Sequence, residues 1–220
     1  MTLLHRKKRP LARDKQAFRD DRLFIVACDD SYAPEQYFRF FRISRVQIHV
    51  VPTIDGTSSA PHVLDRLLAI DHIQDDERWL LLDVDHCLQS THTPTFLNAI
   101  RRAQKLGVNV ALSKPCFEIW LLLHHVEPSE VAALADAGEV EARLRLALGA
   151  YNKTRLSEKD FPLSSVAKAH ARARVLDTSN TSEIPTTNSS HVYKLWEAIA
   201  ISALQSRLPP ELVSLRDANR

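Results

Sequence analysis

Two apolar stretches of the sequence end on aspartates: LFIVACDD, residues 23–30, and WLLLDVD, residues 79–85. Short runs rich in valine, isoleucine and leucine are typical of strands that are buried on both faces. Aspartate suits exposed turns, which is the simplest explanation of its position here. The more specific explanation is that two neighbouring strands bring their terminal carboxylates to one edge of a sheet, where a divalent cation binds. The carboxylates concerned are Asp29, Asp30, Asp83 and Asp85.

The same apolar pattern recurs along the first half of the chain and predicts four strands. They cover residues 22–28, 46–51, 78–84 and 108–113. Segments with helical spacing lie between them and begin at Ala33, Ala60 and Thr93, each followed by a proline that suits the first turn of a helix. This alternation predicts an α/β fold, a mainly parallel four-stranded sheet flanked by helices, in which the first and third strands are adjacent.

The character of the sequence changes in its second half, where every long periodic segment is helical. We therefore predict a basic N-terminal arm over residues 1–21, an α/β core over residues 22–126, and a helical C-terminal region over residues 127–220 packed on that core. The run CFEIWLLLHH, residues 116–125, fits a buried helix and a strand equally well, because short apolar runs do not reveal their period.

Composition narrows the class of protein. The 220 residues are 45% hydrophobic and 25% charged, as in an ordinary soluble globular protein. No segment approaches the roughly 18 consecutive apolar residues of a membrane span, so no membrane partner is expected. The three cysteines lack CxxC spacing and the N-terminus lacks a signal-peptide apolar segment, which favours the cytoplasm. With only four glycines, neither GxGxxG nor GxxxxGKS/T occurs, so ATP hydrolysis would come from a partner.

The strand-terminal aspartates predict a metal site. Ligands of parallel α/β sheets bind beyond the carboxyl ends of the strands, and Asp83 and Asp85 point to the same side because side chains alternate along a strand. Carboxylate oxygens suit Mg²⁺ or Mn²⁺, which retain water and are often shared with substrate phosphates. Asp29, Asp83 and Asp85 are the predicted metal ligands.

Three further residues are candidates for this site. Glu118 lies among apolar residues, where a carboxylate needs a metal ion or an ion pair, so it either faces the site as a catalytic group or pairs with a structural arginine. Lys114, at the end of the fourth strand, either neutralises a phosphate near the metal or is simply exposed. Lys153, in YNKT, is a candidate contact for nucleic acid.

Much of the chain resembles the RloB-like family of defence-associated proteins of bacteria and archaea. The resemblance rests on six segments in the family's order: RKKRPLAR, LFIVACDD, WLLLDVDH, SKPCFEIWLLLHH, YNKT and PTTNSSHVYKLWEAI. It implies a TOPRIM-like fold and metal-dependent phosphodiester chemistry on DNA or RNA. It also implies an AAA/ABC-type ATPase partner in phage-defence loci.

The sequence departs from the family's pattern where the first strand ends. Most relatives have Glu-Gly-Glu followed by Lys-Thr-Glu-Pro, whereas residues 29–35 read DDSYAPE. Asp29 takes the position of the glutamate that serves as general acid and base, and its side chain is one methylene shorter. Two functions stay open: a metal-dependent nuclease or nuclease-like effector, and a catalytically inactive platform subunit that binds an ATPase or nucleic acid.

The N-terminal arm concentrates positive charge. Residues 1–22 contain eight Lys or Arg and three Asp, whereas the rest of the chain has a slight excess of acidic residues. Lys7, Lys8 and Arg9 are the predicted nucleic-acid contacts in this arm, because such a cluster binds a phosphate backbone. The alternative is a solvated tail.

Deleting residues 1–15 tests the arm. If five of its basic side chains contact phosphates of a duplex, the truncated protein binds more weakly and the slope of log K against log salt changes by about 4.5, because each contact releases about 0.9 of a counterion. Fluorescence anisotropy with labelled duplex across a salt series measures the slope. An unchanged slope would identify the arm as a tail or as a site for a protein partner.

Overall fold

The computed structural model of the chain describes residues 21–54, 56–85, 92–177 and 184–217. The predicted nucleic-acid contacts of the basic arm, Lys7, Lys8 and Arg9, lie outside the described residues.

The described residues form an α/β fold around one five-stranded sheet. Its strands are β1 (Arg22–Cys28), β2 (Val46–Val51), β3 (Glu77–Asp83), β4 (Asn109–Lys114) and β5 (Ser189–Ser190). They are ordered β2-β1-β3-β4-β5, and the first four are parallel, while β5 pairs antiparallel with the end of β4. The predicted parallel sheet with adjacent first and third strands is confirmed. The sequence did not reveal β5, because two residues are too few to show an alternating pattern.

Helices cover both faces of the sheet, as the apolar strands predicted. Because side chains alternate, Ile25 and Ala27 of β1 join one core cluster, and Phe24 and Val26 join the other. The first cluster is closed by two helices that begin where the prolines predicted. These helices are α2 (Ala60–Leu68) and α3 (Thr93–Lys105).

The opposite face is covered by α1 and by the helices of the second half of the chain. They are α1 (Ala33–Arg39), α4 (Glu118–Leu123), α5 (Pro128–Ala132), α6 (Ala137–Leu148), α7 (Leu163–Leu176), α8 (Val192–Ser202) and α9 (Val213–Asp217). The ambiguous CFEIWLLLHH run is therefore helical. Trp120 and Trp196 are fully buried here, and residues of α4, α7 and α8 share one apolar cluster with the strands.

The carboxyl ends of the four parallel strands meet at one edge of the sheet, which is where such folds bind ligands. The loop after β2 is fastened to the end of β1 at this edge. Thr53 donates its backbone N–H to the carbonyl of Asp30 at 3.2 Å and its hydroxyl to the carbonyl of Cys28 at 3.1 Å. The first turns of α2 and α3 lie at the same edge, because each helix follows a strand that ends there.

No helix among the described residues is long and apolar enough to cross a membrane.

Replacing Leu67 tests the packing that places α2. Leu67 is fully buried in the cluster between α2, α3 and the sheet. Leu67→Ala should lower the free energy of unfolding by about 2–5 kcal/mol, because it leaves a cavity. Leu146→Ala is the matched control, since Leu146 is 77% exposed, and it should change stability by less than about 0.5 kcal/mol. Urea denaturation measures both, and equal losses would contradict the described packing.

Candidate functional site

The end of β1 and the end of β3 are joined through a carboxylate. Asp29, directly after β1, is partly buried, and its Oδ2 accepts the backbone N–H of Asp83 at 2.9 Å. The hydrogen bond thus pairs a backbone N–H at the end of β3 with the carboxylate that follows β1. The structure therefore brings together two of the three predicted metal ligands.

Crowding of carboxylates disfavours their charged forms. Burial raises the pKa of Asp29 to about 7; the hydrogen bond from Asp83 acts in the opposite direction, and the charges of Asp30 and Asp85 raise the pKa further. Burial also raises the pKa of Asp83 well above its usual range, with additional contributions from the negative charges of Asp29 and Glu118. A cation placed between Asp29 and Asp83 would remove this repulsion.

Asp85 lies next to this pair. Its backbone N–H donates to the carbonyl of Pro115 at 3.2 Å, so the chain after β3 is tied to the end of β4. Asp85 is close enough to contribute to the raised pKa of Asp29. The residues that follow it, 86–91, are outside the described part of the chain.

Asp30 holds the neighbouring helix rather than facing the site freely. Its Oδ1 accepts the backbone N–H groups of Tyr32 at 2.6 Å and Ala33 at 3.1 Å, at the start of α1. Its Oδ2 lies 2.6 Å from the ammonium nitrogen of Lys153. Both oxygens therefore have a positive or N–H partner, and Asp30 holds the turn that leads into α1 and anchors Lys153.

Glu118 is paired with a lysine instead of the arginine considered as its alternative partner. Glu118 begins α4 and is only 4% exposed. Its Oε1 lies 3.2 Å from Nζ of Lys153 and accepts the hydroxyl of Tyr151 at 3.0 Å. Burial acts to lower the pKa of Lys153, but the carboxylates of Glu118 and Asp30 together outweigh it and raise that pKa. The ammonium is therefore charged, and the structure places it at the acidic site.

Lys114, the other lysine candidate, contacts a different part of the chain from Lys153. Lys114 donates from Nζ to the carbonyl oxygen of Thr186 at 2.5 Å, and so fastens the segment before β5 to the end of β4. Lys114 does not belong to the described residues that line the cavity beside Asp29.

His124 is buried, contacts the hydroxyls of Tyr37 and Ser165, and has its pKa lowered to about 3 by burial. His124 is thus a core histidine.

A cavity of about 330 Å³ opens directly beside the carboxylates. Asp29, Asp30, Asp83 and Lys153 line it together with residues at or near the first turns of α2 and α3. The latter are Ser58, Ser59, Ala60, Pro61, His92, Thr95 and Phe96. The N-terminal ends of helices attract anions through their backbone N–H groups and dipoles. The cavity therefore combines carboxylates that favour a cation with helix ends that favour a phosphate.

The sequence did not lead us to predict that residues at the starts of α2 and α3 line the cavity. Ser59 precedes α2 and its hydroxyl hydrogen-bonds to Nδ1 of His62 at 2.9 Å, so its side chain does not cap the helix. His92 and Thr95 stand at the start of α3. The available signal was the Ala-Pro and Thr-Pro pairs that marked both helix starts, since helices that follow parallel strands begin at the ligand-binding edge.

The carboxylates fit a hydrated divalent ion better than a fully protein-coordinated one. Among the described residues, no group of three or more His, Cys, Asp or Glu side chains is arranged as a metal site. Mg²⁺ needs fewer ligands from the protein, because it keeps several waters and is usually held by one or two carboxylates and a substrate phosphate. Asp29 and Asp83, whose pKa values are raised by burial and by neighbouring negative charges, match that requirement.

The raised pKa of Asp29 predicts how stability depends on pH in metal-free protein. Its ordinary value is 3.8 and its folded value is about 7, so the folded state holds the extra proton between these values. This contribution to stability is present below about pH 3.8 and is lost as the pH rises through 7. Asp29→Asn cannot titrate and its amide oxygen still accepts the Asp83 N–H, so its free energy of unfolding should fall less between pH 5 and pH 8.

Urea denaturation in EDTA at the two pH values measures the effect. Asp71→Asn is the control, because Asp71 is an exposed aspartate away from the cavity, and it should follow the wild type. Equal pH dependence in wild type and Asp29→Asn would contradict the described burial of Asp29.

Comparison with known proteins agrees with the resemblance. No curated protein and no solved structure matches the chain. The sequence model of one family, RloB-like protein, matches residues 24–199, which include every strand from β2 to β5, all but the first two residues of β1, and each residue of the acidic site. The chain therefore belongs to the RloB-like protein family.

Proposed function

We propose that the protein is a nuclease, or nuclease-like effector, that depends on Mg²⁺ or Mn²⁺ and cleaves phosphodiesters of DNA or RNA. The proposal rests on one observation above all: Asp29 and Asp83 are joined at the carboxyl edge of the sheet, with raised pKa values, beside a cavity that two helix N-termini also line. Such an arrangement is suited to holding a cation and a phosphate next to each other.

The side chains of the site have distinct roles in this proposal. Asp29 and Asp83 hold the ion, with Asp85 beside them. When bound, the ion polarises the phosphate and lowers the pKa of a water molecule. The pKa of about 7 belongs to Asp29 in the metal-free site; a bound ion would favour its ionised form, in which it can accept a proton from the attacking water. Lys153 faces a phosphate oxygen from the carboxylate side of the cavity, and the first turns of α2 and α3 orient the phosphate.

The proposed substrate is nucleic acid because the cavity opens to the surface and the chain carries basic groups to follow a backbone. Lys153 lines the cavity and is 41% exposed. Lys7, Lys8 and Arg9 precede β1 in the sequence. Lys114 remains a candidate contact only through the donors that its bond to Thr186 leaves.

We place the protein in prokaryotic antiphage defence, in the cytoplasm, beside an AAA/ABC-type ATPase. The support is the family resemblance and the lack of the two glycine-rich phosphate loops in the sequence. A partner ATPase would supply nucleotide hydrolysis that this chain has no such loop to perform.

The alternative is a catalytically inactive platform that binds the ATPase or nucleic acid. Two observations favour it. Asp29 is one methylene shorter than glutamate, and Asp30 is engaged with the start of α1 and with Lys153, so Asp30 has no free oxygen with which to replace a glutamate carboxylate. An error of about 1 Å in the position of a catalytic group costs about 10²-fold in rate.

Incubating the purified full-length chain with DNA and total RNA separates the two functions. The reactions contain Mn²⁺ or EDTA, each with and without the product of any ATPase gene that neighbours this one. A nuclease cleaves with Mn²⁺ and not with EDTA, and Asp29→Ala should reduce the rate about 10²–10⁴-fold, as expected for loss of a general acid–base group. Asp83→Asn should reduce it at least as much, since it removes a proposed metal ligand.

Asp71→Asn is again the control and should retain the wild-type rate. Cleavage that survives both Asp29→Ala and Asp83→Asn would place the chemistry elsewhere and overturn the proposal. The absence of cleavage in every combination of metal and partner would reject the nuclease, and binding of the ATPase or of nucleic acid by the inactive chain would then establish the platform.

A further inference from the structure

The acidic residues at the sheet edge fall into two groups with different partners. Asp29 and Asp83 have raised pKa values and share one backbone hydrogen bond. Asp30 and Glu118 instead meet at a lysine, because Nζ of Lys153 lies 2.6 Å from Asp30 Oδ2 and 3.2 Å from Glu118 Oε1. A cation therefore already stands between the second pair of carboxylates.

These two carboxylates need that cation. Asp30 is 8% exposed and Glu118 is 4% exposed, so water screens neither of them well. A buried carboxylate without a compensating charge is strongly destabilising, and the effect grows when a second one lies beside it. The hydroxyl of Tyr151 also donates to Glu118 Oε1, but it carries no charge with which to balance the pair.

The backbone of Lys153 is fastened in place from α1. The side-chain amide of Gln36 donates to the carbonyl of Lys153 at 3.0 Å, and its Oε1 accepts the backbone N–H of Leu156 at 2.9 Å. Asn152 closes the turn from within by accepting the backbone N–H and the hydroxyl of Thr154. The ammonium group is thus held by a fixed segment, and the side chain still reaches the cavity surface, where it is 41% exposed.

We propose that Lys153 is a built-in cation that takes the place of a second metal ion. Its ammonium group neutralises Asp30 and Glu118, keeps divalent ions away from these two carboxylates, and presents its exposed side to a phosphate oxygen in the cavity. The site then takes one divalent ion, at Asp29 and Asp83. The ion at Asp29 and Asp83 is taken from the proposed function, and this part of the inference rests on it. The pairing of Lys153 with Asp30 and Glu118 does not depend on the proposed function.

Counting bound Mn²⁺ per chain tests the proposal. Electron paramagnetic resonance of free Mn²⁺ during titration of the full-length protein at pH 8 gives the count. The wild type should bind one ion. Lys153→Met keeps a chain of similar length without the charge and should bind two, and adding Glu118→Gln to it should return the count to one. Lys159→Met, the same substitution at an exposed lysine nearby, should leave the count at one.

Two ions in the wild type, or an unchanged count in Lys153→Met, would overturn the proposal. If Lys153→Met does not fold by circular dichroism, Lys153→Gln replaces it, because its amide can hydrogen-bond to the carboxylates without carrying charge. The counts also separate this proposal from the proposed function. One ion in a wild type that cleaves nothing, together with two ions in Lys153→Met, retains the role of Lys153 and rejects the nuclease. The remaining outcome is that the wild type binds no ion, Lys153→Met binds one, and the added Glu118→Gln removes it. This outcome rejects only the proposed ion at Asp29 and Asp83.

Discussion

Repulsion between carboxylates is the constraint from which the rest of the site follows. Parallel strands end at the same sheet edge, so any acidic residue placed at several strand ends is forced close to the others. Here Asp29 and Asp83 meet in partial burial, and Asp30 and Glu118 meet in nearly full burial. The protein relieves the repulsion in two ways. It accepts raised pKa values at the first pair, and it supplies its own ammonium group at the second.

The second half of the chain completes this balance of charge. Glu118 begins α4, and Lys153 lies between α6 and α7, far along the sequence from Asp29 and Asp83. A boundary at residue 126 would thus separate Lys153 from all the carboxylates it faces. Gln36 shows the same interdependence, because this residue of α1 holds the backbone of the segment that carries Lys153. The α/β core and the helical region together form one site.

The sequence was sufficient for those features that depend on local pattern. The apolar runs placed four strands to within one residue at either end, and the prolines placed the starts of α1, α2 and α3. It was insufficient where a tertiary contact decides the outcome. The sequence predicted Lys153 only as a contact for nucleic acid, because nothing near it in the sequence indicates its partners, Asp30 and Glu118. Asp30 was predicted to be one of the carboxylates at the cation site, although it holds the turn before α1 and pairs with Lys153.

The departure at residues 29 and 30 has a physical explanation within this structure. A glycine at position 30 would offer no side chain to hold the turn before α1 or to meet Lys153, whereas Asp30 does both. A glutamate at position 29 would reach one methylene further, past the point where Asp29 accepts the N–H of Asp83. The two aspartates thus form a compact arrangement in which one carboxylate ties β1 to β3 and the other ties β1 to α1 and Lys153. Such an arrangement shortens the reach of Asp29 into the cavity. In the proposed nuclease, Asp29 would therefore exchange a proton with the substrate through an intervening water, since its carboxylate stays close to the backbone of β3.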